Sequence, residues 1–439
     1  MQNCDLIVIG AGPGGYEVAA QQAAAGKNVV IIEKDLPGGT CLNRGCIPTK
    51  CMCAAAELIH EIGRASQFGI AVDGFRPSYR AAVERARAVT AELRQGVMSL
   101  LARCTFVEGE AVVQPDGSVS VGDSRFVAPQ VIIATGSRPA VLPVPGAELA
   151  MSSDDFLKLE ELPADMVIVG GGVIGLEFAY IASAYGCKVT VVEYCKEILP
   201  PFDAETAKRL RMLLAGRGIT FVTSAAVTSI VRNDGDGSFT VGYTDKRGEN
   251  AVVASAVLMA VGRRAVLPAG LDAAGIRVDS RGFIATDDDM RTSRPGFYAV
   301  GDCNGRLMLA HAASAQARRA VGLDVNLDVT PSAVFTSPQL AMVGLTAEQC
   351  KEREIDYVSH KALYRSNGKA LASGQPDGFV KVLYDPISRR LYGCHILGAE
   401  ASDLIQEATL AIANNLTVDH ILSTIHGHPT LSELLPHAL

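Results

Sequence analysis

The sequence lacks features that would place it in several specialised protein classes. It has no long block of Lys and Arg, and 40 basic against 47 acidic residues give a net charge of −7 with a pI near 5.7. We therefore expect no nucleic-acid partner, because phosphate backbones are bound by basic surfaces. Its longest charge-free stretch, residues 329–347, contains two prolines and several hydroxyl side chains, so we expect no membrane span.

The N-terminus also lacks the basic region of a secretory signal and runs directly into the apolar segment Leu6–Ile9. We therefore expect a cytoplasmic protein, in which most of the 11 cysteines are buried thiols and any disulfide is catalytic. Hydrophobic residues make up 48% and charged residues 20% of the 439 residues. This balance is typical of a globular chain, and the length suggests about three domains of roughly 150 residues each.

A strand–turn–helix–strand unit occurs twice, 160 positions apart. Three glycines and an acid mark each copy: Gly10, Gly12, Gly15 and Glu33 in the first, and Gly170, Gly172, Gly175 and Glu193 in the second. Such glycines permit a tight turn, let a pyrophosphate approach the backbone, and let helix and strand pack closely, while the acid accepts hydrogen bonds from an adenosine ribose. The duplication predicts two dinucleotide sites, one for a tightly bound and one for an exchanging cofactor. Glu193 favours NAD over NADP, since it would repel a 2′-phosphate.

Two cysteines follow the first unit. Cys41 and Cys46 are five residues apart, so they do not share one face of an ideal helix, and a bond between them needs the distortion that Gly45 permits. Thiolates near a helix start are stabilised by the helix dipole, and we interpret the pair as a redox centre. Two alternatives remain open: ordinary buried thiols, and a metal site that also uses Cys51 and Cys53. We expect no metal, because this spacing differs from that of zinc knuckles.

The C-terminal region contains His428, followed five positions later by Glu433. A His is suited to acid–base chemistry near neutral pH, and a carboxylate can fix its tautomer. The alternative is an ordinary solvated surface His. Because nicotinamide transfers hydride whereas thiols exchange disulfides, a flavin is the natural relay between them, and we expect FAD in one dinucleotide site.

Six motifs, in the same order and over essentially the whole chain, resemble the class I pyridine nucleotide-disulfide oxidoreductases, and within them the dihydrolipoamide dehydrogenases. The motifs begin at Gly10, Gly38, Ala134, Gly170, Val300 and His428. The resemblance implies an α/β fold with two Rossmann-like dinucleotide-binding domains and a C-terminal α+β dimerisation domain. The implied divisions are an FAD-binding domain with the Cys pair at 1–147, an NAD-binding domain at 148–267, a central segment returning to the FAD domain at 268–330, and the dimerisation domain at 331–439.

The resemblance also implies roles for the matched residues. Cys46 would face the flavin and Cys41 would exchange with substrate, while His428, held by Glu433 and supplied by the partner subunit of a homodimer, would take the substrate proton. The implied FAD contacts are Gly10, Gly12, Gly15, Glu33, Lys50, Ala111, Thr135, Gly136, Ser137, Asp302, Met308, Leu309, Ala310 and His311. The implied NAD contacts are Gly170, Gly172, Gly175, Glu177, Glu193 and Gly262. Lys50 and Glu177 would pair near the flavin.

The implied activity is oxidation of protein-bound dihydrolipoamide, with electrons passing from the Cys pair through FAD to NAD+. The implied partner is a lipoyl-bearing protein of a 2-oxoacid dehydrogenase or glycine cleavage complex. Glu193 argues against an NADPH-dependent glutathione reductase, and the absence of any Cys after Cys394 argues against mercuric and large thioredoxin reductases. Two alternatives remain open: an NADH-dependent reductase of another disulfide, and a non-catalytic flavoprotein scaffold or redox sensor. Arg44 stands where the family commonly has an aliphatic residue, which would change the charge that a substrate meets.

Overall fold

The computed structural model describes residues 1–439 and divides into two compact units. The first unit comprises Met1–Cys51, Val83–Ala140 and Gly262–Leu327. The second comprises Met52–Ala82, Val141–Val261 and Asp328–Leu439.

A five-stranded parallel sheet forms the centre of the first unit. Its strands, in spatial order, are Phe297–Ala299, Gln130–Ile133, Leu6–Ile9, Val29–Glu33 and Thr105–Glu108. Leu6 and Val8 pack into one apolar core with helical residues, and Ile7 and Ile9 pack into the core on the opposite face. Because both faces are covered, the central strands are continuous apolar runs without polar alternation.

Two smaller sheets complete the first unit. A four-stranded sheet has the order Gln2–Asn3, Ser124–Val127, Val119–Val121 and Val112–Val113. An antiparallel ribbon pairs Ser137–Pro139 with Arg263–Ala265, which joins two parts of the unit that are more than 100 residues apart in the chain.

The second unit contains a parallel sheet covered by an antiparallel one. The parallel strands, in spatial order, are Thr220–Val222, Lys188–Val192, Asp165–Val169 and Val257–Met259. The antiparallel strands are Ala226–Arg232, Phe239–Asp245 and Gly248–Ala254. Val167 and Val169 share an apolar core with Ile230 and Val241, so one face of the parallel sheet is buried against the antiparallel one.

The C-terminal part of the second unit is an antiparallel sheet covered by helices. Its five strands, in spatial order, are Ser332–Val334, Gln339–Gly344, Leu391–Gly398, Phe379–Tyr384 and Val358–Leu363. The helix Ala401–Ala413 buries Ile405, Ala408 and Ala411 in the same core. The two parallel sheets and this antiparallel sheet with its helices confirm the predicted fold class.

Thirteen α-helices connect and cover these sheets. They span Pro13–Ala24, Gly39–Arg44, Cys46–Gly63, Tyr79–Leu100, Ser153–Phe156, Val173–Ala184, Ala204–Gly216, Ala310–Ala320, Ala347–Glu352, Gly368–Ala372, Ala401–Ala413, Val418–Leu422 and Leu434–His437. None of them is both long enough and apolar enough to cross a membrane.

Two long helices with an interruption between them follow the first Gly-rich unit. One helix ends at Gly63 and the next begins at Tyr79. The interval contains Gly69 and Gly74, both with left-handed backbone angles, and Pro77, which lacks the N–H that a helix interior requires. The apolar spacing of this region therefore belongs to two helices.

Candidate active site

The first Gly-rich turn joins a buried strand to the helix Pro13–Ala24, which begins directly after Gly12. A Cβ atom added at Gly15 would overlap the carbonyl oxygen of Gly10, so the third glycine is needed for close packing of helix and strand. The helix start directs the positive end of the helix dipole at the turn, which favours the negative charge of phosphate oxygens. The turn therefore fits the pyrophosphate of a dinucleotide.

Glu33 lies at the end of the strand that follows this turn. Its Oε2 accepts a hydrogen bond from the backbone N–H of Ala11 at 2.7 Å, and its Oε1 accepts one from Asp35 at 2.9 Å. Burial raises the pKa of this carboxyl, although the hydrogen bond from Ala11 opposes the shift. The carboxylate is thus fixed beside the turn, where a ribose can reach it.

The second turn repeats this arrangement. A Cβ atom added at Gly175 would overlap the carbonyl oxygen of Gly170. Glu193 accepts hydrogen bonds from the backbone N–H of Gly171 at 2.5 Å and of Cys195 at 2.6 Å. Both predicted dinucleotide sites therefore have the same glycine packing and the same acid geometry.

Cys41 and Cys46 form a disulfide, with their Cα atoms 4.6 Å apart. One helix ends at Arg44 and the next begins at Cys46, with Gly45 between them. A Cβ atom at Gly45 would lie 2.9 Å from the carbonyl oxygen of Thr40, so only glycine fits and the predicted distortion is confirmed. The disulfide uses two of the four neighbouring thiols, and no group of three or more His, Cys, Asp or Glu side chains is arranged to hold a metal ion.

Arg44 lies beside the acid of the first turn. Its guanidinium forms an ion pair with Asp35, and its charge acts on Glu33 to lower the carboxyl pKa against the larger effect of burial. The sequence suggested that Arg44 changes the charge met by a substrate. The structure shows its partner to be Asp35, two residues after the acid expected to bind ribose.

A polar cluster surrounds Asp302 within the first unit. The Ser137 hydroxyl donates to Asp302 Oδ2. Arg263 donates from Nε to Ser137 Oγ at 2.6 Å and from Nη2 to the Ser137 carbonyl at 2.8 Å, and its Nε is 3.8 Å from Asp302 Oδ2. The structure therefore brings together two residues expected to contact FAD and adds a cation beside them.

The other residues expected to contact FAD lie on defined elements of the chain. Thr135 donates from Oγ1 to the carbonyl of Val266 at 2.5 Å, and Ala111 is buried in the core. Residues 308–311 span the start of the helix Ala310–Ala320, so this segment includes backbone N–H groups at a helix start. Lys50 lies in the helix that begins at Cys46, about one turn after it.

Among the remaining NAD-side residues, Glu177 is buried at 3% exposure, and its Oε1 accepts a hydrogen bond from the backbone N–H of Phe335 at 3.0 Å. Gly262 has a φ angle of +105°, and its carbonyl accepts from the N–H of Ala140 at 2.9 Å. Glu177 belongs to the second unit, whereas Lys50, its expected partner, belongs to the first. Their pairing stays a prediction.

His428 and Glu433 form a pair in the C-terminal loop of the second unit. The Nδ1 atom of His428 is 2.9 Å from Glu433 Oε1, and the His side chain is 79% exposed. The backbone N–H of Thr430 donates to Glu433 Oε2 at 2.9 Å. The Glu433 pKa is held below its usual range, mainly by this hydrogen bond from Thr430 and secondly by the hydrogen bond to His428. A carboxylate at Nδ1 leaves Nε2 of an exposed ring to face a substrate.

Sequence reasoning missed Arg263, which contacts Ser137, and the pair His426–Glu407, whose His lies two residues before His428. Arg263 directly follows Gly262, and His426 directly precedes the segment Gly427–His428, so their positions were visible in the motifs. Glu407, which pairs with His426, had no sequence signal, because helix packing brings it across 19 residues.

Models of known protein families match nearly the whole chain. Residues 4–317 match pyridine nucleotide-disulphide oxidoreductase, and residues 330–439 match the pyridine nucleotide-disulphide oxidoreductase dimerisation domain.

Curated relatives have the same extent. A dihydrolipoyl dehydrogenase of Chlamydia pneumoniae is 38% identical over 446 residues, which cover 99% of this chain and 95% of the relative. The dihydrolipoyl dehydrogenases of Mycoplasma pneumoniae and Bacillus subtilis are each 36% identical, and each match covers 99% of this chain and 97% of the relative.

Among solved structures, the HOCl-induced flavoprotein disulfide reductase RclA from Escherichia coli is similar over the full length. Its Cu(II) complex superposes with a TM-score of 0.88 at 26% identity, covering 100% of this chain and 99% of that one.

Proposed function

Because the chain belongs to the pyridine nucleotide-disulfide oxidoreductase family, we propose that it oxidises protein-bound dihydrolipoamide to lipoamide and passes the electrons to NAD+. The coarser activity follows from the family: the chain is an FAD-dependent, NAD(H)-linked disulfide oxidoreductase. Relatives named dihydrolipoyl dehydrogenase, at 36–39% identity over almost the full length, support the substrate. The observation that carries the proposal is the exposed His428–Glu433 pair, which suits deprotonation of a thiol.

The first exchange begins with a proton transfer. Nε2 of His428 takes the proton of one substrate thiol, while Glu433 holds the ring through Nδ1 and stabilises its charge. The resulting thiolate attacks Cys41 Sγ, a new sulfur–sulfur bond forms, the Cys41–Cys46 bond breaks, and Cys46 leaves as a thiolate.

The second exchange releases the product. The other substrate thiol attacks the substrate sulfur bound to Cys41 and its proton passes to the departing Cys41 sulfur, so lipoamide leaves as a cyclic disulfide and Cys41 is left as a thiol. Two electrons then reside on the cysteine pair. FAD, when bound, supplies the relay of these two electrons to NAD+, which takes them up as a hydride.

Residues of both turns would hold the nucleotides. The first turn with Glu33, Thr135, Gly136 and Asp302 would hold FAD, with Lys50 beside it. The second turn with Glu177, Glu193 and Gly262 would hold NAD. Glu193 would bind the ribose hydroxyls and exclude a 2′-phosphate.

A homodimer is supported by the family's dimerisation domain at residues 330–439. Within it, we infer that His428 acts on the disulfide of the partner subunit. We propose an FAD-binding domain at 1–147, an NAD-binding domain at 148–267, a central segment returning to the FAD domain at 268–330 and a dimerisation domain at 331–439. A lipoyl-bearing protein of a 2-oxoacid dehydrogenase or glycine cleavage complex would be the partner.

The nine free cysteines favour a reducing compartment, the cytoplasm.

A second candidate is an NADH-dependent reductase of another disulfide. The similarity to the E. coli disulfide reductase, at a TM-score of 0.88, favours it. The same cysteine pair would then pass electrons outward to a substrate disulfide. The two candidates differ in the preferred thiol or disulfide and in the need for His428 to remove a substrate proton.

The test compares purified flavin-loaded wild type with Cys41→Ser and His428→Gln, given dihydrolipoamide with NAD+ or NADP+. Wild type should form NADH rapidly with NAD+ alone. Cys41→Ser should abolish this turnover, and His428→Gln should reduce it about 10²–10⁴-fold, the usual contribution of general acid–base catalysis. Cys51→Ser is the matched control, because Cys51 is a nearby thiol outside the disulfide. Full turnover by Cys41→Ser, or efficient wild-type turnover only with another disulfide, would overturn the proposal.

A further inference from the structure

A second His–Glu pair lies two residues before His428. The Nε2 atom of His426 is 2.8 Å from Glu407 Oε1, and its Nδ1 atom is 3.0 Å from the carbonyl oxygen of Thr424. The His426 side chain is only 10% exposed, in contrast to the 79% exposure of His428. The loop therefore carries one open and one closed His–Glu pair.

Both ring nitrogens of His426 are occupied. The Thr424 carbonyl oxygen and Glu407 Oε1 are both acceptors, and each lies within hydrogen-bond distance of one ring nitrogen. Such a ring has no nitrogen left to exchange a proton with a substrate. His426 is therefore not a second general base, and the contribution of the pair is to the geometry of the loop.

Glu407 gives the loop a rigid anchor. It lies in the middle of the helix Ala401–Ala413, whose inner face is buried through Ile405, Ala408 and Ala411. The bond to His426 joins this helix to a point two residues from His428. Because the helix is packed in the core, the anchor restricts the loop backbone.

The other side of His428 is anchored independently. The Nδ2 atom of Asn367 donates to the carbonyl of Thr430 at 3.0 Å, and the Thr430 hydroxyl donates to the carbonyl of Gly427 at 2.6 Å. The exposed ring thus extends from a short backbone segment held at both ends. Small displacements of such a ring matter, because a shift of about 1 Å in a reacting group can cost about 10²-fold in rate.

We propose that His426 and Glu407 are positioning residues, which fix the loop backbone so that Nε2 of His428 meets the substrate thiol. This inference rests on the proposed function, in which His428 removes the thiol proton. It predicts a loss in kcat for dihydrolipoamide, with little change in the KM for NAD+. It also predicts no loss in a reaction that takes electrons from the flavin without thiol deprotonation.

The experiment uses the flavin-loaded full chain with His426→Phe, His426→Gln, Glu407→Gln and the double variant His426→Phe/Glu407→Gln. Each is assayed for dihydrolipoamide oxidation and for reduction of a dye by NADH. His426→Phe should lower kcat with dihydrolipoamide about 10-fold or more, since it removes both hydrogen bonds and shifts a proton-transfer group. His426→Gln, which retains an N–H donor, should restore part of the rate, and the double variant should be no slower than His426→Phe.

Asp403→Asn is the matched control, because it removes a carboxylate from an exposed position of the same helix and should leave both activities unchanged. Equal losses of dihydrolipoamide and dye activity in the His426 and Glu407 variants would indicate general damage and overturn the inference. Unchanged kcat would overturn it as well. If His426→Phe does not fold, the isosteric Glu407→Gln carries the test.

His428→Gln distinguishes failure of the positioning role from failure of the proposed function. If it lowers dihydrolipoamide turnover and the His426 and Glu407 variants do not, the positioning role fails and the proposed function stands. If wild type does not oxidise dihydrolipoamide, or His428→Gln is fully active, the proposed function fails and the inference fails with it.

Discussion

The two Gly-rich turns share one backbone arrangement but are fastened by different downstream segments. In the first, the N–H of Gly38 donates to the carbonyl of Ala11 at 2.7 Å. In the second, the N–H of Leu199 donates to the carbonyl of Gly171 at 3.0 Å. Each bond reaches the residue between the first two glycines, so the duplicated unit includes its fastening as well as its glycines and acid.

The fastening segments differ in what they bring to the turn. Gly39 follows Gly38, and a Cβ atom at Gly39 would lie 2.6 Å from the Cα of Gly12, so the first turn is closely covered by the segment that leads to Cys41. Leu199 is buried at 1% exposure, and a Cβ atom at Gly172 would meet no heavy atom within 4 Å. The segment that leads to Cys41 therefore covers the first turn at its second glycine, Gly12, whereas the second turn is uncovered at the matching glycine, Gly172.

This difference fits the proposed assignment of FAD to the first turn and NAD to the second. A retained FAD benefits from a covered pyrophosphate turn that is connected to the cysteines it serves, and an exchanging NAD needs an accessible one. The comparison indicates that specialisation of the two copies lies in the fastening segment more than in the shared glycines. Substitutions in the two segments should therefore separate flavin retention from NAD affinity.

The largest expected effect comes from replacing the fastening residues. Gly39→Val should reduce flavin retention at least about 10-fold, because a non-glycine left-handed residue costs roughly 1–2 kcal/mol before its overlap with Gly12 is counted. Leu199→Ala retains the backbone N–H that bonds to Gly171 but leaves a cavity where the buried side chain packs, so the segment should shift, raising the KM for NAD+ and leaving flavin content unchanged. Visible flavin absorbance per protein and NAD+ kinetics measure the two effects. Normal flavin content in Gly39→Val would contradict the covered-turn interpretation.

Substitution of the acid of each turn, Glu193 or Glu33, should give the next largest effect. Glu193→Gln should raise the KM for NAD+ about 10-fold and weaken discrimination against NADP+, since hydrogen bonds to charged groups are worth about 1.5–3 kcal/mol. Glu33→Gln should instead weaken flavin retention and spare the KM for NAD+. Steady-state kinetics with both nucleotides, together with flavin content, distinguish the two variants. The assignment of the turns would be reversed if the two phenotypes were reversed.

Arg44→Val should have a smaller effect, confined to the first turn. The Arg44–Asp35 ion pair is partly exposed, and such pairs contribute up to about 1 kcal/mol, so flavin should dissociate no more than about 5-fold faster. The KM for dihydrolipoamide should be unchanged. Lys158→Gln is the control, because it breaks an exposed ion pair with Asp155. A selective rise in the KM for dihydrolipoamide in Arg44→Val would contradict this interpretation and support the expectation that Arg44 changes the charge met by a substrate.

The duplicated fold and the redox pair were predictable because local signals specify them. The glycines and Glu33 recur at fixed offsets, and Gly45 lies where a helix must break to join Cys41 and Cys46. The His428–Glu433 pair was also predictable, since both residues lie in one short loop. Such features depend on neighbours in the chain.

The contacts that sequence reasoning missed depend on packing between distant segments. Arg263 reaches Ser137 through an antiparallel ribbon, and Glu407 reaches His426 from the face of a helix. The sequence singled out Arg44 but not its partner Asp35, which lies two residues after the strand Val29–Glu33. Composition and spacing do not predict these contacts, because many other side chains of the same type could have made them.

The smallest expected effect concerns the charge of Glu33. Burial raises the pKa of this carboxyl, so the folded chain binds more protons than the unfolded chain between the ordinary and the raised pKa. Stability of the flavin-free protein should therefore fall as pH rises through that window, and Glu33→Gln should lack this part of the fall. Thermal unfolding at a series of pH values checks it, and an equal fall in both proteins would contradict it. Bound FAD should reduce the difference in pH dependence between wild type and Glu33→Gln, because ribose hydroxyls that donate to the carboxylate favour its ionised form. The titration would then report on the cofactor site itself rather than on burial alone.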